Sequence, residues 1–402
     1  MSISRARVTS AGRRGIGLVR PRVARALVAD AVPRDASDHE HLDAVMAWLA
    51  LAQDVTGVGG VAARYDLATG WDQPYPETTG YIVGTALHHA DVVADTTWTA
   101  RATRMGEWLL ELQAPDGWIA GGLARAAGTG RPEVFNTGQV LFGWLALHQV
   151  TGRDDFARAA ARAARWLVEV QSPDGAWVTA SLHDVPHAYY TRVTWALAKA
   201  GAVLDDADAT AAARRSIAWT CAQQRDDGWI EHMSFTPGSP ALTHTIAYTI
   251  EGLLECALVL DDARAWGAAL VATRALAARA RELGIGDGRG RRLPATFGPG
   301  FAPADVSYDC VTGSAQLALC ARRLQAFDPA AGDLADFAEA LWVSVARAHP
   351  LSGPHGVRGG VPGSQPIWGA YASFKYLNWA AKFVADLLLD RVAGGLPRDR
   401  HG

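Results

Sequence analysis

The sequence predicts an all-α protein, an α/α toroid of about six helical hairpins in an inner and an outer ring. Three observations predict it. A short phrase recurs as Gln113-Ala-Pro-Asp116-Gly117-Trp118, Gln171-Ser-Pro-Asp174-Gly175-Ala-Trp177 and Gln224-Arg-Asp-Asp227-Gly228-Trp229, its copies 58 and then 53 residues apart. Spacing of that size marks a repeated supersecondary unit. Helical patterns of two kinds alternate between the copies, one amphipathic and one apolar on most sides. Long polar connections all run from the first kind to the second, which gathers them on one face of the ring.

In chain order, regular structure begins near Asp38, and 43–52 reads as a short amphipathic helix around Val45, Trp48 and Leu49. The other outer helices, rich in Ala and Arg, fall at 97–112, 154–170, 209–223, 263–283 and 334–348. Their charges lie on one face, as on helices that show one side to water. Inner helices, with small residues and few charges, fall at 78–90, 137–150, 191–203, 243–260, 312–324 and 369–389. Each phrase stops an outer helix at Gln, turns through Asp-Gly and packs an indole over the junction. The connections 114–135, 171–189, 225–242, 284–309 and 350–368 form the rim where the inner helices start, a usual place for a site. Residues 38–392 read as the toroid, 1–37 as a disordered basic tail and 393–402 as a second tail.

Composition excludes several classes of function. The formal net charge of −3 offers nothing to nucleic acid or to an anionic membrane. Arg20 and Arg22 interrupt the only apolar stretch that could act as a secretory signal, and no run is long enough to span a membrane. Cys221, Cys256, Cys310 and Cys320 lack CxxC spacing and read as reduced, buried thiols of a cytoplasmic protein. No metal or cofactor is expected. His88-His89 and His183-x-x-x-His187 stand without Cys or carboxylate neighbours, and Gly359-Gly-Val-Pro-Gly363 lacks the Lys of a phosphate loop.

The Gln…Asp-Gly-Trp phrases between alternating helices resemble the repeats of the terpenoid cyclase and protein prenyltransferase toroid superfamily. The resemblance implies the toroid over roughly residues 40 to 390. Triterpene cyclases of that superfamily protonate substrate with Asp-x-Asp-Asp at the head of an inner helix. Asp205-Asp206-Ala-Asp208 has another order and lies between helices. The prenyltransferase zinc pair is Asp-x-Cys, and Asp309-Cys310 departs from it. Fold therefore does not bring either chemistry with it.

Residues four and seven apart share a helix face. Each inner helix then shows a polar stripe near its start: Glu77, Tyr81 and His88; Asn136 and Gln139; Tyr190, Arg192, Trp195 and Lys199; His244, Tyr248, Glu251 and Glu255; Asp309, Thr312 and Gln316; Tyr371, Lys375, Asn378 and Lys382. These stripes either satisfy one another or line a shared polar lumen. Hydroxyls, amides, carboxylates and indoles suit a sugar, and a guanidinium suits an acidic one. The expected function is a carbohydrate-active enzyme working on an acidic sugar or polysaccharide intermediate, by epimerisation, elimination or hydrolysis. His244, Glu77, Tyr190 and Tyr248 are the acid–base candidates. Tyr81, Asn136, Gln139, Arg192, Trp195, Glu251, Asp309, Gln316, Trp368, Tyr371 and Lys375 are the substrate-binding candidates. The stretch Leu242-Thr-His-Thr-Ile-Ala-Tyr-Thr-Ile-Glu-Gly-Leu resembles a helix in the toroidal domain of glucuronyl C5-epimerases, which implies a uronate substrate. A terpenoid-cyclase-like isomerase, expected if the lumen is apolar and aromatic, and a non-catalytic scaffold, expected if the stripes pair internally, are the alternatives.

Overall fold

The computed structural model describes residues 36–394, so nearly all of both expected tails lies outside the described residues. Among the described residues twelve α-helices alternate as outer and inner. The outer ring is α1 (Asp38–Asp54), α3 (Thr96–Leu112), α5 (Asp154–Glu169), α7 (Ala207–Ala222), α9 (Ala263–Glu282) and α11 (Ala335–Ala348). The inner ring is α2 (Pro76–Val93), α4 (Val134–Thr151), α6 (Thr191–Leu204), α8 (Thr243–Leu260), α10 (Val311–Phe327) and α12 (Asn378–Ala393). Successive inner helices pack side by side, and α12 closes the ring against α2 while also packing on α1. The sixth hairpin is thus made from the two ends of the toroid.

The inner-to-outer turns are tight. Asp205 takes a left-handed C-cap conformation, and Asp206 caps α7 by accepting from Ala209 N at 3.0 Å; Asp261 and Asp262 repeat the device at α9. The Asp205-Asp206 pair is therefore turn chemistry. Inner helices approach closely where glycine allows it: a Cβ on Gly80 of α2 would lie 2.6 Å from the Gln139 carbonyl oxygen of α4.

The repeated glutamine joins one outer helix to the next. Gln113 Nε2 donates to Gly117 O (3.0 Å) within its own turn and to Ala159 O (2.9 Å) of α5. Gln171 reaches Gly175 O and Ala212 O of α7, both at 3.0 Å, and Gln224 reaches Ala268 O of α9 at 2.9 Å. A fourth copy, absent from the sequence phrase, is Gln53, which donates to Gly59 O (2.9 Å) and Arg101 O (3.0 Å) of α3. Gly175 turns at φ +97°, and a Cβ there would sit 2.4 Å from the Arg215 carbonyl oxygen. Asp-Gly supplies both the left-handed backbone and the close approach.

One expected helix is corrected. Segment 369–374 is irregular and Lys375–Leu377 forms a strand, β2, so the last inner helix begins only at Asn378. The strand pairs antiparallel with β1 (Arg64–Asp66), Tyr65 opposite Tyr376, which pins the final rim segment to the first. Trp368, Tyr371 and Lys375 thus sit on a rim segment. Among the described residues no helix is long and apolar enough to cross a membrane, and all four cysteines are free.

Candidate active site

Three inner helices carry a threonine in their first turn that bonds the carbonyl four residues back, Thr79 through its backbone N–H to Tyr75 O, and Thr137 and Thr194 through their hydroxyls to Glu133 O and Tyr190 O. Thr79 and Thr137 also accept from the rim backbone, at Val61 N and Ile119 N. The residue four before each threonine is thereby held at the mouth of the ring, and all three, Tyr75, Glu133 and Tyr190, line one cavity of about 270 Å³. Glu77, Asn136, His244, Tyr248 and Tyr371 line it too, with Phe135, Tyr189, Phe235 and Trp379 as aromatic wall.

Its two carboxyls are unusual. Burial pushes Glu77 up to about 7, with the nearby Glu133 adding to the rise while the Tyr75 hydroxyl, which donates to Glu77 Oε2, and Arg192 oppose it. Glu133 is also pushed up to about 7 by burial, against the Tyr190 hydroxyl, which donates to its Oε1 at 2.9 Å, and Phe135 N. Tyr190 in turn accepts from Leu182 N at 2.9 Å. Burial raises the Tyr75, Tyr190 and Tyr248 phenols well above their ordinary value, so these groups are neutral donors at physiological pH. Burial lowers His244 to about 4, its ring lies 4.2 Å from that of Tyr248, and it is neutral.

Beneath this cavity the ring is filled by charge pairs. Arg192, 0 % exposed, meets Glu251, 2 % exposed, at 3.0 Å and donates from Nε to Gln139 Oε1 at 3.3 Å. Its guanidinium lies 4.9 Å from the Trp195 ring centroid and 5.1 Å from that of Phe142. Arg323 and Glu255 form a bidentate pair at 2.7 and 2.9 Å, and Lys382 meets Asp386 at 2.6 Å. Gln316 bridges the two levels, its Oε1 lying 2.5 Å from His244 Nδ1 and its Nε2 donating to Glu251 Oε2 (2.8 Å).

The expected residues therefore divide. All four acid–base candidates, Glu77, Tyr190, His244 and Tyr248, face the cavity, as do Asn136 and Tyr371. Tyr81, Gln139, Arg192, Trp195, Glu251 and Gln316 are buried below it and do not line it. Asp309 is buried elsewhere, accepting from Ser314 Oγ at 2.6 Å and Ser344 Oγ at 3.1 Å, and burial raises it to about 6. Trp368 is 56 % exposed on the rim, and Lys375 lies in β2, 3.6 Å from Asp66. Glu133, Tyr75, Phe135, Phe235 and Trp379 escaped the sequence reading. Aligning the helices on Thr79, Thr137 and Thr194 would have found the first two.

Larger hollows exist, of about 620 Å³ between α9 and α11 and about 700 Å³ at the far ends of the inner helices. Neither collects carboxyls raised toward neutrality, the property that marks a catalytic cleft. No cluster of three or more His, Cys, Asp or Glu suited to a metal occurs among the described residues.

No protein-family model matches the chain, and no curated protein does. Solved structures do. An unsaturated glucuronyl hydrolase from Bacillus sp. GL1 superposes with a TM-score of 0.67 at 14% identity, covering 89% of this chain and 97% of that one. Cellobiose 2-epimerase from Bacillus thermoamylovorans B4167 gives 0.68 at 10% identity, covering 89% and 98%. A polysaccharide lyase gives 0.62 at 11% identity, covering 89% and 98%. The likeness is one of fold: the chain is an α/α toroid of the kind these enzymes share.

Proposed function

We propose that the protein is a carbohydrate-active enzyme that acts on an acidic sugar or polysaccharide intermediate by acid–base chemistry, as a hydrolase, epimerase or lyase. The observation that carries this reading is the pair Glu77 and Glu133, two carboxyls near 7 facing His244 across one aromatic-walled cavity. At neutral pH such a pair offers a proton donor and a carboxylate together. Hydrolysis would use one to protonate the leaving oxygen and the other to direct water. Epimerisation or elimination would use His244 as base, with the phenols of Tyr190 and Tyr248 donating to the charge that develops. The lining residues include no Lys or Arg. A uronate would therefore be recognised by neutral donors, a protonated Glu and the tyrosine hydroxyls. The carboxylate clamp expected of Arg192 passes instead to the support below the cavity. Solved enzymes of this fold named for glucuronyl and cellobiose substrates support the sugar reading.

The aromatic wall supports a second reading, the terpenoid-cyclase-like isomerase. Carboxyls near 7 are weak acids for protonating an alkene, which favours sugar. Internal pairing of Arg192, Arg323 and Lys382 is what a scaffold would need, yet it leaves the cavity open. The same proposal takes residues 38–392 as one folding unit and the protein as a cytoplasmic enzyme of polysaccharide biosynthesis; the four free cysteines support the compartment. Incubation with uronate-containing and neutral oligosaccharides in heavy water tests the proposal. Deuterium incorporation, new unsaturation or chain cleavage is expected; silence in all three, with no thermal stabilisation by any sugar, overturns it.

A further inference from the structure

Four inner helices contribute to one line of contacts behind the cavity wall. His244 Nδ1 meets Gln316 Oε1 at 2.5 Å, Gln316 Nε2 meets Glu251 Oε2 at 2.8 Å, and Glu251 Oε2 meets Arg192 Nη1 at 3.0 Å. Arg192 Nε reaches Gln139 at 3.3 Å. The polarity of this line is set from its charged end. A carboxylate paired with a guanidinium only accepts, so the amide of Gln316 must turn its NH₂ toward Glu251. Its carbonyl oxygen then faces His244 and also only accepts. The proton must therefore sit on His244 Nδ1, which leaves the lone pair on Nε2, an atom with no hydrogen-bond partner among the described residues, on a ring that lines the cavity. The packing that permits this is local. A Cβ on Gly313 would lie 2.6 Å from His244 N, so α10 rests directly on the start of α8 and brings Gln316, one turn on, against the ring.

We infer that Gln316 is a positioning residue, a tautomer lock that holds His244 as the Nδ1–H imidazole and presents Nε2 to bound substrate as a proton acceptor. The inference rests on the acid–base reading of the cavity. In the step it serves, Nε2 takes a proton from a substrate C–H or O–H, or from water, and the bonding electron pair stays on the atom that loses it. The imidazolium so formed is stabilised through Gln316 by Glu251, with Arg192 limiting that effect. The other titratable groups around the ring are Tyr248 on its own helix, Tyr371 of the rim, Glu77 across the cavity and Cys310 at the head of α10. Because Gln316 is neutral, burial keeps the ring uncharged through the physiological range.

The test uses the full chain labelled with ¹⁵N at histidine, His244→Gln assigning the signal. Two-bond proton–nitrogen correlations are expected to show the Nδ1–H tautomer in the wild type, with no titration between pH 8 and 5. Gln316→Glu should move the His244 titration, and the acid limb of kcat/KM, upward by one unit or more. Gln316→Leu should mix the tautomers and lower kcat by roughly 10- to 10⁴-fold, the range for a mis-set catalytic histidine, with a smaller change in KM. An Nε2–H signal in the wild type, or an unchanged tautomer in Gln316→Leu, overturns the inference. Should the Leu variant not fold, the wild-type tautomer and the Glu variant decide. The spectra need no substrate, so a correct tautomer in a protein that processes no sugar defeats the sugar reading alone, and a wrong tautomer in an active enzyme defeats the lock alone.

Discussion

Glu77 and Glu133 differ from ordinary surface carboxyls through burial beside one another, and both consequences can be measured. Replacing either by Gln keeps its size and removes its proton chemistry. Each variant should lose at least about 100-fold in kcat against an active sugar while retaining wild-type circular dichroism; a loss under tenfold would remove that residue from the chemistry. The second consequence is on stability. A carboxyl near 4.5 when unfolded and near 7 when folded binds its proton more tightly in the native state. Its favourable contribution is complete below 4.5 and falls away as pH rises to 7. His244 and His349, lowered by burial to about 4 and about 3, act in the opposite sense over the acid side of this range, so only a difference is informative. Relative to wild type, Glu133→Gln should gain stability between pH 4.5 and 7.5, on the order of 2–3 kcal/mol, read from urea midpoints. Activity that needs a protonated carboxyl should fall above about 7.

At the scale of the element, the glutamine turn acts as a clasp between neighbouring outer helices. Gln171 donates to its own turn and to α7, and Gly175 brings that turn onto the α7 backbone. Gly175→Ala meets both a left-handed φ and a carbonyl oxygen at 2.4 Å, and should cost roughly 1–3 kcal/mol in urea unfolding. Gln171→Leu leaves two carbonyls without their donor and should cost a similar amount. Because the clasp lies under the rim, these losses should appear in stability before KM; an unchanged urea midpoint would show that the clasp bears no strain.

At the scale of the molecule, the ring is shut by its ends, α12 packing on α1 and α2. The seam contains a buried imidazole pair, His41 Nδ1 to His349 Nδ1 at 2.9 Å, with His349 Nε2 3.0 Å from Gly359 O. Burial lowers both rings, against the attraction of Asp38 and Glu40 for His41, and His41 further lowers His349. Groups depressed in this way stabilise the fold above 6.5, and that support is lost as pH falls. Acidification should open the ring here first. Hydrogen exchange of α1, corrected for intrinsic rates, should rise more between pH 7 and 4.5 than that of α5; equal rises would place the acid-labile point elsewhere.

The sequence by itself determined the toroid, the alternation of its rings and the rim on which the cavity opens. Those features rest on local physics: apolar period, Asp caps and the Asp-Gly turn act over a few residues and read directly from Gln113, Gln171, Gln224 and the Asp205-Asp206 pair. It also picked out Glu77, Tyr190, His244 and Tyr248. Which polar groups face the cavity and which face one another was settled only by tertiary packing. His244 and Glu251 share a helix face, yet seven residues on a helix are about 10 Å of depth. The cavity ends within the second turn of α8, at Tyr248, so His244 lines it while the deeper Glu251 meets Arg192. Depth is set by how closely neighbouring helices approach, at contacts such as Gly313 on His244, and no periodicity along one chain segment records it. Glu133 was hidden for the same reason: placed in a loop by its sequence, it becomes part of the site only when α4 starts three residues early and the ring brings it opposite Glu77.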